Sequence, residues 1–88
     1  MTAVTALPFV EAQANGQPSN LWAVTPSGAW SADNDTGVAY AEALMDHMAR
    51  NGQPMLLGYV IKAIAEAGVW TGIECGFCHS IALRTAAA

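Results

Sequence analysis

The chain has 88 residues, enough for one small domain over 1–88, and 53% of them are hydrophobic while only 11% are charged, against about 25% charged in an average soluble domain. Its net charge of −4 rests on seven acids against Lys62, Arg50 and Arg84, which disfavours nucleic acid, whose backbone is held by clustered cations. A small domain buries a modest share of its surface, so this much apolar character predicts self-association, with a two-fold homodimer the commonest solution.

The N-terminal residues lack the basic and long apolar regions of a secretory signal, with Pro8 and Glu11 interrupting them. The longest apolar window, 55–73, contains Lys62, Glu66 and Gly68 and is not expected to span or bind a membrane. The expectation is a cytoplasmic protein with two thiols and no disulfide.

Prolines and turn dipeptides crowd the first third of the chain. Asn15-Gly16 and Pro26-Ser27-Gly28 are turn signals, and 9–13, 21–25 and 29–31 are candidate strands. They predict a β-hairpin or short meander over about 7–31, with Trp22 and Trp30 packing across it.

From Asp33 the pattern becomes helical. Asp33 and Asp35 are candidate N-caps of a first helix at 36–50, in which Val38, Ala41, Met45 and Met48 recur at helical spacing and Asn51-Gly52 closes the end. Pro54 suits the first turn of a second helix, 54–67, apolar almost all round except for Lys62 and Glu66, a pattern of burial by other elements or by a partner subunit. A third helix, 72–85, opens on Thr71-Gly72-Ile73-Glu74, a capping box. Ile73, Phe77 and Ile81 line one face, and Gly72, Gly76 and Ser80 form a small-residue ridge that another backbone can approach closely. The fold class is α+β, mainly α: an N-terminal ribbon followed by three packed helices.

Cys75, Cys78 and His79 form CxxCH, the spacing of covalent haem attachment. With His47 they would make a Cys2His2 set for zinc, which is expected to fit better than haem where no export signal is visible. Three ligands within five residues of one helix converge poorly on a tetrahedral ion, however, and buried cysteines commonly pack as small hydrophobes. Counted from Asp33, the sixth and twelfth positions of a calcium loop would be Val38 and Leu44, so that pattern fails. The second and third helices also resemble a helix-turn-helix in outline, but the third offers only Arg84 as a cation. Trp22, Trp30, Tyr40 and Trp70 could line a small-molecule pocket with His47 as its polar group, Tyr40 and His47 falling on one helical face.

The expected role is that of a non-enzymatic homodimeric interaction or ligand-binding module without a cofactor. It would use Leu57, Ile61, Ile64, Gly72, Gly76, Phe77 and Ser80 as its dimer surface. The alternatives are a metal-binding protein at the CxxCH segment and a small enzyme or effector-binding domain at Tyr40 and His47.

Overall fold

A computed structural model describes residues 3–87. After a 3-10 turn at Val4–Ala6 come β1 (Glu11–Ala12) and β2 (Pro18–Asn20), then α1 (Trp30–Asn51), α2 (Leu56–Ala67) and α3 (Gly72–Ala87). The fold is the expected one, a small ribbon followed by three packed helices. Among the described residues no helix is long and apolar enough to cross a membrane.

The ribbon is antiparallel and shorter than its sequence suggests, pairing Glu11 with Asn20 and Ala12 with Pro18 across an irregular register, so its second strand precedes the candidate 21–25, which turns inward and is not a strand. Its turn is the Asn15-Gly16 pair: Gly16 adopts φ 84°, which glycine reaches without steric cost. The Asn15 side chain accepts the Gln17 amide at 3.0 Å. Beyond the ribbon, the Ala23 amide donates to the Phe9 carbonyl at 2.8 Å, carrying Phe9 and Trp22 into the interior.

The third candidate strand, 29–31, is instead the start of α1. Gly28, at φ 90°, turns the chain just before it, and Asp33 takes a role other than the expected N-cap. From inside the helix its carboxylate reaches back to accept the Ser27 amide at 2.9 Å and hydroxyl at 2.7 Å, and the Gly28 amide at 3.2 Å. These bonds fix the preceding turn against the helix and advance its start to Trp30. The other end is as expected: Gly52 is left-handed and closes α1 through its amide to the Met48 carbonyl.

The main packing event is the crossing of α1 and α3. A Cβ on Gly72 would lie 2.6 Å from the Trp30 carbonyl oxygen, one on Gly76 would strike the Asn34 carbonyl, and one on Gly37 would strike the Ile73 carbonyl and lie 2.7 Å from the Phe77 nitrogen. Trp30 meets Gly72 and, one turn on, Asn34 meets Gly76, while Gly37 lies over the turn from Ile73 to Phe77, so the two helices run in the same direction with their backbones in contact. The glycine ridge read from the sequence is real, and its partner is α1 of the same subunit. Gly72, Gly76 and Phe77 are therefore not a dimer surface: all three are buried within the subunit.

Short connections at 52–55 and 68–71 oblige α2 to carry the chain back between the ends of this pair. It is not the central helix its composition implies. Val60 and Ile64 are its buried residues, while Met55, Tyr59 and Ile61 are exposed. Pro54 lies in the preceding turn, not in the first turn of the helix. The molecule is a slab of 34 × 32 × 19 Å, about two helix diameters thick.

The glycine contacts yield a graded prediction. Gly37→Ala forces a methyl group into backbone that cannot swing aside and is expected to cost about 3 kcal/mol or more in urea denaturation. Gly58→Ala, where a Cβ meets nothing within 4 Å, is expected to be neutral or to stabilise by up to about 1 kcal/mol. Equal effects of the two substitutions would contradict the crossing.

Candidate functional site

At the centre of the fold, four aromatic rings from four parts of the chain meet. Phe9 lies 5.3 Å from both Trp22 and Tyr40 and 6.2 Å from Phe77, while Trp22 lies 4.8 Å from Phe77, edge to face. Such contacts add specific geometry to large apolar burial. Trp22 does not pack across the ribbon on Trp30, as the hairpin reading expected. It turns inward, and Trp30 stands at the start of α1.

Glu74 holds this arrangement to α3. Although only 1% exposed, its carboxylate accepts the Thr71 amide and the Thr71 hydroxyl on one oxygen, at 2.6 Å from the hydroxyl, and the Trp22 indole N–H on the other at 2.9 Å. The Thr71 hydroxyl in turn accepts the Ile73 amide at 3.2 Å. The capping box is thus present, with one partner that local spacing did not reveal, a tryptophan 52 residues away in sequence. Burial pushes the Glu74 carboxyl pKa up, but donors from Thr71 and Trp22 outweigh it and hold the group below its ordinary value.

The proposed pocket residues do not assemble. Trp22 and Tyr40 belong to the aromatic cluster, Trp30 and Trp70 are 58% and 59% exposed, and His47 is 6% exposed beneath the N-terminal segment. His47 borders a cleft of about 210 Å³ with Leu7, Pro8, Arg50 and Asn51, which Tyr40 does not line. Its Nδ1 faces the Asn51 amide nitrogen at 3.3 Å, and its buried Nε2 has no hydrogen-bond partner among the described residues. Tyr40 packs against Phe9 and Trp22, whereas His47 borders the cleft under Leu7 and Pro8, so the two take different places in the described structure.

The CxxCH residues also separate. Cys78 faces a groove beside α2, His79 is exposed beside a different cleft with Glu42 and Arg84, and His47 lies in a third. Among the described residues no three His, Cys, Asp or Glu side chains converge for a metal ion. The four-residue ligand set is therefore corrected: on an unbroken α3, Cys78 and His79 face different clefts, and α1 buries His47 in a third. Burial, then Cys75 and Glu74, raise the Cys78 thiol above its ordinary pKa, which disfavours the thiolate needed of a ligand or nucleophile. The helix-turn-helix outline has a similar difficulty, since the first turns of α3 lie against α1.

What the surface does offer is an apolar end. Ile61, Ile64, Ala65, Gly68, Val69, Trp70 and Cys78 line an open groove of about 390 Å³. Ile61 is 42% exposed, and Val69, like Trp30, 58%. Of the anticipated dimer residues, Ile61 lies here in the open, Leu57 and Ser80 are half-buried, and Ile64 is buried beneath the groove. Val69, Trp30 and Trp70 were absent from that set because a lone apolar residue in a loop or at a helix start carries no periodic signal. The chain matches no protein family, no curated protein and no solved structure with which it was compared.

The Glu74 contacts can be tested directly. Glu74→Gln preserves shape but cannot offer bare oxygens to the Thr71 and Trp22 donors together, and Trp22→Phe removes one donor. Each is expected to cost about 1.5–3 kcal/mol at neutral pH. Because the folded-state pKa is lowered, this stabilisation is present above the ordinary carboxyl value of 4.5 and is lost as pH falls through the folded value. Urea denaturation against pH should therefore show a shallower acid limb for Glu74→Gln than for the wild type. An unchanged limb would contradict the assignment.

Proposed function

We propose that this chain is a self-associating interaction module, a cytoplasmic homodimer that covers the apolar end formed by α2, residues 68–70 and the start of α1. The observation that carries the reading is the exposure of Trp30, Val69, Trp70 and Ile61 at that end, alongside a groove walled by apolar side chains and one thiol. With a tryptophan presenting up to about 250 Å², the two rings leave on the order of 300 Å² uncovered before Ile61, Val69 and the groove are counted. A stable dimer covers roughly 800 Å² per partner, a little over half of it apolar. The surface therefore suits an interface of ordinary size.

The chemistry of the surface favours protein over other partners. Tryptophans dominate the energetics of protein interfaces. The chain has three cations for seven acids, a poor match to anionic lipid or nucleic acid. The two cysteines are free, consistent with a reducing compartment. The raised pKa of the Cys78 thiol suits a packed side chain better than a nucleophile.

Sedimentation equilibrium at micromolar concentration is expected to give twice the chain mass of 9.2 kDa. Ile61→Glu and Trp70→Ser should each shift it to the chain mass without altering the far-UV spectrum. Monomer mass for the wild type across the micromolar range would refute the reading, and an unchanged dimer in both variants would refute the surface.

A further inference from the structure

The apolar end contains both a projection and a recess. Trp30 is the first residue of α1, 58% exposed and flanked by exposed Ala29, Ser31 and Ala32, small residues that leave its ring open to a partner. Its backbone is anchored, because the Trp30 carbonyl is the group that Gly72 approaches. The recess is the groove beside α2, about 390 Å³ in volume, more than an indole fills. Ala65 and Gly68 keep it open, and Ile61, Val69 and Trp70 wall it. The chain's own Trp30 lies outside it.

Projection and recess are close along the backbone: Trp70 on the groove wall precedes by two residues the Gly72 that lies against the Trp30 carbonyl. This adjacency matters for closure. A two-fold interface uses one patch twice, each copy supplying what the other receives, whereas distant complementary features generate open chains.

Resting on the self-association reading, we infer that the second copy occupies the groove with its Trp30, reciprocally, so that two indoles are buried about one two-fold axis. An aromatic anchor in a desolvated apolar pocket is the usual form of an interface hot spot. Cys78 then lies beneath the inserted ring, where its thiol is shielded by the partner.

Complementation tests this. Trp30→Ala removes the projection and leaves the recess, while Ala65→Arg, at an exposed position, fills the recess and leaves the projection. Each variant, folded by far-UV circular dichroism, should dimerise at least about thirtyfold more weakly than the wild type. An equimolar mixture restores one intact contact and should give the heterodimer in native mass spectrometry at concentrations where both variants alone are monomeric. Iodoacetamide should label Cys78 at least about tenfold faster in Trp30→Ala than in the wild-type dimer, as expected when a covering anchor is lost. A wild-type dimer that survives Trp30→Ala unweakened, or variants that both dissociate but do not complement, would overturn this inference alone. A wild type that is monomeric would overturn it together with the reading beneath it.

Discussion

The structure depends on direct contact between the backbones of α1 and α3. Gly37, Gly72 and Gly76 are set where any side chain would collide with the opposite main chain, so the helices approach more closely than ridges of larger residues permit. The close approach has a cost, since glycine in a helix gives up more backbone entropy than alanine. It also places few apolar side chains between the helices at the crossing itself, and much of the burial is left to elements that wrap around the pair. The N-terminal segment does this with Leu7, Phe9 and Trp22, and α2 with Val60 and Ile64.

Such a wrapped arrangement needs fastening, which explains a fully buried carboxylate in so apolar a protein. An unpaired ionised group in that position would be costly. Glu74 has donors for both oxygens, from its own helix start and from the N-terminal segment. Asp33 makes the equivalent connection for α1 by accepting from Ser27 and Gly28. Two acids near the amino ends of the two crossing helices, where the helix dipole also favours negative charge, thus tie the irregular first third of the chain to the helical remainder.

These connections mark the limit of what the sequence discloses. The helix-closing Gly52, the Asn15-Gly16 turn and the Thr71 to Glu74 capping box were legible because each depends on residues within a few positions of one another. So was the small-residue ridge, but not its partner: periodicity shows which face is smooth and not which backbone lies upon it. The spacing allows Asp33 as an N-cap, whereas its carboxylate serves the turn before the helix. Trp22 bonding Glu74 spans 52 residues and leaves no local signature. CxxCH was legible as a spacing only, since whether those side chains converge is decided by a continuous helix and by the distant burial of His47. The apolar excess of the composition leaves several large side chains exposed, but composition does not say which, and the expected dimer surface includes residues that α1 covers.

Because α1 and α3 occupy each other through their backbones, α2 and the following loop retain an apolar side that the subunit does not use, and this links internal packing to the proposed assembly. Native-state hydrogen exchange at rising protein concentration tests that link most directly. Amides of α1 and α3 around the crossing should exchange only through global unfolding, while those of α2 from Gly58 to Gly68 should gain protection as concentration increases. Fast local exchange at the crossing, or α2 protection that does not vary with concentration, would contradict the link.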